Sequence, residues 1–267
     1  MSIGYATGRS LIHTGQMRRW KDLVSYSTPP LPPVTNPTIG FTAQGSATTQ
    51  TGVKKFGTAS YLAGGTGGSS NLLNTSGDYA WWPEGTTDYT VEWWMYVPSS
   101  VTGGYMEFIS NENTSGGFGL RLGATYGAGN FQALGFFARG VADLDYFNIT
   151  WPTDTWFYMS ATRSSATIYV HKDGVIVTQS GTGTANAATF NYPATSGLNK
   201  IEIGNAGGGG LRNIYIDDFR ISNTTARYGS GSYTPPTAEG ILETGTTLLL
   251  NMNGTNGGTS FPNKTSN

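Results

Sequence analysis

The stretch Ile214-Tyr215-Ile216-Asp217-Asp218-Phe219-Arg220-Ile221, preceded by Ile201-Glu202-Ile203-Gly204, decides the fold class. Both runs are short, rich in β-branched and aromatic residues, and bounded by glycine or asparagine, which is the signature of strands. We expect two neighbouring strands joined by a tight or mobile connection through the glycines at 207–210, offering the rest of the chain an edge to add to. Strict alternation puts one of the paired acids on the face of Tyr215, Phe219 and Ile221, and the other on the face of Ile214 and Ile216. One carboxylate is therefore expected to face the core, where it needs a hydrogen-bond donor or a cation.

Outward from this stretch the same pattern recurs. Between residues 88 and 97, Tyr89, Val91, Trp93, Met95 and Val97 fall on one face and Thr90, Glu92, Trp94 and Tyr96 on the other. The first face reads as core, the second as a surface that lines a groove or meets loops. Further strands are expected at 105–110, 118–122, 131–139, 156–163 and 167–171, with another at 79–82 ended by Pro83. Asp173-Gly174, between Ile168/Val170 and Val175/Val177, is a hairpin signal because both positions tolerate positive φ. The apolar run at 246–252 reads as a strand buried on both sides. No repeat of solenoid or propeller period is present. A dozen or so short strands in one glycine-rich chain imply a two-sheet sandwich.

The bulk composition agrees. A length of 267 residues suits one large all-β domain with appendages. With 39 glycines and only 12% charged residues, the chain favours strands and turns over helices, and 13% aromatics can supply a core. A net charge of -1 gives no general attraction to nucleic acid or an anionic membrane. The absence of cysteine excludes disulfides, thiolate catalysis and cysteine metal sites. No run approaches the length of a membrane span, and the first residues lack the apolar core of a secretory signal.

Residues 1–37 differ from the rest. Arg9, Arg18, Arg19 and Lys21 stand against the single acid Asp22, and Met17, Trp20 and Val24 fall at helical spacing. Pro29, Pro30, Pro32, Pro33 and Pro37 then favour a stiff, extended course. This part reads as an N-terminal arm and proline-rich spacer, with Arg18, Arg19 and Trp20 as assembly residues. The sandwich is expected to occupy 38–253 and a C-terminal tail 254–267.

An ordered set of pieces resembles a known superfamily. It comprises Phe56-Gly57-Thr58-Ala59-Ser60-Tyr61, Tyr89-Thr90-Val91-Glu92-Trp93-Trp94, Asp154-Thr155-Trp156-Phe157-Tyr158-Met159-Ser160, Ile168-Tyr169-Val170 with Asp173-Gly174, Ile201-Glu202-Ile203-Gly204 and Tyr215-Ile216-Asp217-Asp218-Phe219-Arg220-Ile221. Their order and spacing over residues 38 to 253 look like the laminin-G-like, concanavalin A-like domains. The resemblance implies an antiparallel jelly-roll sandwich of two large sheets. His171 and Lys172 depart from it by lengthening the segment before the Asp-Gly turn. Asn223-Thr224-Thr225-Ala226-Arg227-Tyr228 looks like versions found in tailed-phage virion proteins. That implies a cytoplasmically made, homo-oligomeric virion component, a trimer being favoured, whose arm contacts other virion proteins.

The resemblance also sets tests for catalysis. Its β-glucan-hydrolysing branch carries Glu-x-Asp-x-x-Glu on one strand, and none of Glu84, Glu92, Glu107, Glu112, Glu202, Glu239 and Glu243 forms that pattern. Its alginate-lyase branch carries Arg-Thr-Glu-x-Arg and Gln-x-His strands, also absent. His13 and His171 are the only histidines. We expect no enzyme. Related domains often hold calcium, and Asp217 with Asp218 beside glycine- and asparagine-rich loops could supply oxygens. The alternative is that one aspartate caps turn amides while the other pairs with Arg220 or Arg212. Sugars stack on exposed aromatic rings, which makes Trp81, Trp94, Tyr96, Tyr146 and Trp151 the candidates for binding host glycans, against a core role for each; Tyr146 and Trp151 read as the better loop candidates, near Asp143, Asp145 and Asn148. Three readings follow: a virion or appendage protein that touches glycans, a freestanding carbohydrate-binding or adhesion module, and, least favoured, a polysaccharide-degrading enzyme.

Overall fold

The computed structural model describes residues 41–64, 72–74, 83, 87–101, 104–113, 118–127, 130–138, 142–147, 151–165, 167–177, 198–203 and 213–264. The expected arm with Arg18, Arg19 and Trp20, the strand at 79–82 with Trp81, and the glycine run at 207–210 lie outside them.

The described residues form fifteen strands. They are β1 (Thr42–Ala43), β2 (Thr48–Gln50), β3 (Ser60–Ala63), β4 (Leu72–Asn74), β5 (Tyr89–Tyr96), β6 (Gly104–Asn113), β7 (Phe118–Gly127) and β8 (Asn130–Ala138). After them come β9 (Ala142–Phe147), β10 (Trp156–Ser164), β11 (Thr167–Lys172), β12 (Val175–Ile176), β13 (Leu198–Ile203), β14 (Ile214–Asn223) and β15 (Thr246–Leu250). One sheet runs β1-β4-β13-β6-β7-β8-β9. The other runs β12-β11-β10-β5-β14-β3-β2, with β15 also paired to β14. All pairings are antiparallel. The protein is an all-β, two-sheet antiparallel sandwich of the jelly-roll class. No helix among the described residues is long and apolar enough to cross a membrane.

The alternation on β5 places Tyr89, Val91, Trp93 and Met95, with Val97 just beyond, in the hydrophobic core. Phe157, Met159 and Ala161 join from β10 and Ile216, Phe219 and Ile221 from β14, while Leu72 and Ile203 enter from the opposite sheet. Each of the valine, leucine, isoleucine, methionine and phenylalanine side chains stabilises the fold by roughly 1.5–3 kcal/mol relative to exposure. The Asp173-Gly174 hairpin forms as expected, at φ 51° and 75°, joining β11 to β12. Leu248, Leu249 and Leu250 of β15 are all buried.

Four expectations need correction. First, the runs at 201–203 and 214–221 do not pair. β13 lies between β4 and β6, whereas β14 lies in the other sheet beside β5 and β3. In a sandwich, successive strands can serve opposite layers and still share one core, as Ile203 and Ile216 do.

Second, β14 does not alternate strictly. Asp217 faces Trp94 and Arg220 faces Glu92, so β14 has one residue more than β5 over this span. Asp218 takes φ 52°, a left-handed conformation that aspartate tolerates better than most residues. The resulting β-bulge returns Phe219 and Ile221 to the face of Ile214 and Ile216. Neither carboxylate belongs to the apolar core.

Third, 142–147 is a strand rather than a loop, so Tyr146 sits in a sheet opposite Gly135. Fourth, the expected tail from 254 is part of the sandwich. Phe261 is a core residue packed edge-on against Tyr61 at 5.5 Å, Ser260 bridges to Thr42, and Asn263 accepts a 3.0 Å hydrogen bond from the Leu249 amide.

Candidate functional site

The outer face of the β5 sheet carries the side chains that alternate away from the core. Register aligns them in rows across β10, β5 and β14: Thr162–Thr90–Ser222, Ser160–Glu92–Arg220, Tyr158–Trp94–Asp217 and Trp156–Tyr96–Tyr215. The first two rows are fully or nearly buried, whereas Trp156, Tyr96 and Tyr215 are half-buried.

The buried half is covered by residues 224–245, which cross it without regular structure. The Thr90 hydroxyl receives the Arg227 amide at 2.9 Å and donates to the Thr225 carbonyl at 3.2 Å. The Tyr233 hydroxyl donates to Ser160 at 2.7 Å, and its amide donates to the Gly174 carbonyl at 2.9 Å. Tyr228 and Tyr233 stack at 3.6 Å and 6°, with the His171 ring 5.1 Å from Tyr233.

Beneath this segment lies Glu92, with no exposure. It accepts from the Arg220 Nε and, at 2.7 Å, from the Tyr158 hydroxyl, and Arg227 Nε lies 3.5 Å away. Glu243 spans the two guanidiniums from above. Burial alone would depress Arg220, but the Glu92 carboxylate more than offsets it and raises its pKa. Burial, then Glu92, pushes the Tyr158 hydroxyl well above its ordinary range. Glu92 is thus held between two guanidiniums and a phenol and covered by chain.

The twin aspartates are staples between loops. On the edge of β14, β3 occupies Ile214–Ile216 and β15 occupies Phe219–Ser222. The bulge fills the interval. Asp217 accepts from the amides of Lys55 (2.8 Å) and Phe56 (3.1 Å). Asp218 accepts from the Gly240 amide (3.0 and 2.9 Å) and from Asn251 Nδ2 (2.6 Å). Burial is the largest effect on both, raising Asp217 to about 7 and Asp218 to about 6. Donor hydrogens point at Asp217 Oδ2 and at both Asp218 oxygens, whereas Asp217 Oδ1 is buried without a hydrogen-bond partner. Among the described residues no group of three or more His, Asp or Glu could hold a metal.

The sugar-binding candidates separate. Trp151 is a core residue, edge-on to Phe157 at 5.3 Å. Trp94 is buried between Phe56 (5.9 Å) and Tyr158 (5.0 Å), with the Lys55 ammonium 3.8 Å from its ring centre. Neither presents a free ring face of the kind a sugar needs. Tyr146 lies on β9 of the other sheet and Trp81 outside the described residues.

Among the candidates whose side chains are described, Tyr96 stands at a surface, and the structure gives it two partners that sequence reading missed. Trp156 lies 5.6 Å from its ring at 55°, and Tyr215 lies 5.7 Å from it at 84°. Register extends the row through Leu62 on β3 to Thr48 on β2, both half-buried. At the rim, Asp154 takes φ 54° and its carboxylate accepts from the Ser99 amide at 2.9 Å and the Tyr96 hydroxyl at 3.4 Å. The Ser99 contacts hold this exposed carboxyl below its ordinary range. The signal for Tyr215 was present: an aromatic at the outward position of Ile-Tyr-Ile. What sequence lacked was the register that sets it beside Tyr96.

No protein-family model matches this sequence, and no curated protein does. Among solved structures, the chain is similar to a botulinum neurotoxin type C whose cell entry depends on two ganglioside molecules, at 12% identity and TM-score 0.43, covering 68% of this chain and 42% of that one. It is similar to the binding domain of botulinum neurotoxin DC, solved with rat synaptotagmin II, at 14% and 0.40, covering 61% and 39%. It is also similar to a Trypanosoma rangeli sialidase at 12% and 0.42, covering 74% and 33%. The chain spans less than half the length of each.

Proposed function

We propose that the chain is a non-enzymatic carbohydrate-binding module of a virion, an appendage or decoration protein whose sandwich meets host glycans. The observation that carries the binding reading is the half-buried row Trp156–Tyr96–Tyr215 with the Asp154 carboxylate at its rim. Ring faces for sugar C–H groups beside a fixed polar acceptor are the elements of a glycan site. Against catalysis stands the state of Glu92: it is ion-paired to Arg220 and shut under residues 224–245, where no glycosidic bond could lie between it and a second acid. Support for the virion setting is the basic, aromatic and proline-rich 1–37 and the resemblance at 223–228.

A glycan array tests the binding, with the assembled protein and its Tyr96→Ala variant side by side. Binding in the parent that the variant loses is expected; no signal above background in the parent would sink it. Deleting residues 1–37 tests the setting. Loss of incorporation into particles is expected, and normal incorporation would instead favour a freestanding module.

A further inference from the structure

The aromatic row also constrains the form of the ligand. Resting on the carbohydrate-binding reading, we infer that the ligand is a single soluble chain of uncharged sugars, laid across the strands and not along them. The row Trp156–Tyr96–Tyr215–Leu62–Thr48 runs through β10, β5, β14, β3 and β2, one residue per strand. Adjacent strands are about 4.8 Å apart, so four steps span about 19 Å, the scale of a short oligosaccharide with about one sugar per strand.

The ring planes exclude a flat partner. Tyr96 is turned 55° from Trp156 and 84° from Tyr215, so the three rings share no plane. A crystalline polysaccharide face needs coplanar rings. A free chain can turn about each glycosidic bond and meet the rings in succession. Charge sets the sugar type. Among the described residues the row is flanked by the Asp154 carboxylate at the Tyr96 hydroxyl, and the neighbouring row brings the Lys55 ammonium on the Trp94 ring and the buried Asp217. The one ammonium is matched by carboxylates, so these groups set up no net positive field to select a polyuronate or a phosphate-bearing polymer. Tyr96 is the central ring, touching both others, and its loss removes the most contact.

The test uses the full chain. Affinity electrophoresis is run against xyloglucan, galactomannan, mixed-linkage β-glucan, dextran and polygalacturonate, together with any polysaccharide containing an array hit. Adsorption to microcrystalline cellulose and to chitin is measured in parallel. The expected result is retardation by at least one soluble neutral polymer, without adsorption to either solid. Tyr96→Ala should weaken it at least tenfold, and Trp156→Ala several-fold. Calorimetry with oligosaccharides of the retarding polymer should show affinity rising from the disaccharide to about the tetrasaccharide and then levelling. Adsorption to cellulose or chitin, retardation by polygalacturonate alone, or affinity already complete at one sugar would overturn the inference while leaving carbohydrate binding intact. Retardation that survives both Tyr96→Ala and Trp156→Ala would place the ligand elsewhere and overturn it too. No interaction with any polymer, solid or array glycan would overturn the carbohydrate reading, and this inference with it.

Discussion

Glu92 on β5 and Arg220 on β14 are cross-strand partners whose side chains form an ion pair with the carboxylate wholly removed from solvent. Taking both charges out of water is costly, and the pair is sustained by Tyr158, Arg227 and Glu243 around it. Removing one member should therefore cost more than removing both. Glu92→Leu is expected to destabilise by about 3–5 kcal/mol, since Arg220 would remain buried with much of its compensation gone. The double variant Glu92→Leu/Arg220→Met should recover a large part of that loss. Urea unfolding of the parent, both singles and the double checks it; equal losses in all three variants would refute the linkage.

Gly174 ties the hairpin to the covering segment. It adopts φ 75°, and its carbonyl receives the Tyr233 amide at 2.9 Å. A Cβ at this position would overlap the Tyr233 carbonyl oxygen, a backbone atom that cannot swing aside. Gly174→Ala combines a strained conformation with this overlap, and a loss of about 2–4 kcal/mol is expected. Proteolysis should sharpen the point, with new cuts between residues 224 and 245 before the sandwich itself is attacked. Unchanged stability and no new cleavage would show that the segment is not held here.

Some of this was open to reading in the sequence. β5 was legible because its two faces separate cleanly at period two, and the Asp173-Gly174 turn because its chemistry is local. What failed depended on distant partners. The bulge at Asp218 rests on amides from Gly240 and a side chain from Asn251, which no alternation rule contains. The aspartates of β9, Asp143 and Asp145, disguised a strand because aspartate is poor in strands. Residues 254–264 look like a polar tail except for Phe261, whose burial fixes the course of the chain. The covering segment has no period at all, and its place is set by Tyr228, Tyr233 and Arg227. Of the aromatic row, Tyr96 was found from its strand; Trp156 and Tyr215 needed register.

The amide partners of Asp217 and Asp218 lead to an outcome for metal. Asp217 Oδ2 and both Asp218 oxygens already accept from Lys55, Phe56, Gly240 and Asn251, so a cation would meet only Asp217 Oδ1 without a donor, short of the about six to eight oxygens calcium takes. Adding millimolar calcium to chelator-treated protein is expected to leave the melting temperature unchanged. A calcium-dependent rise, abolished by Asp218→Asn, would reverse that conclusion.

The same carboxylates should write a pH dependence into stability. Burial raises Asp217 to about 7 and Asp218 to about 6 from an ordinary value of 3.8. Between about pH 4 and 7 the folded protein therefore holds protons that the unfolded chain has released. The stability these groups contribute is complete below about pH 4, falls as pH rises through 6 to 7, and is gone above. His171 acts oppositely: burial lowers its pKa from 6.5, so its contribution is present above 6.5 and declines as pH falls. The difference between the parent and Asp217→Asn isolates the aspartate. Asparagine keeps an oxygen for the Lys55 and Phe56 amides but cannot ionise. The two proteins should have similar stability near pH 4, and the variant should gain progressively to an advantage on the order of 1–3 kcal/mol by pH 8. Denaturant melts at pH 4, 6 and 8 measure it. A variant that is weaker at pH 8 than at pH 4, relative to the parent, would mean that Asp217 is ionised at no cost in the folded protein.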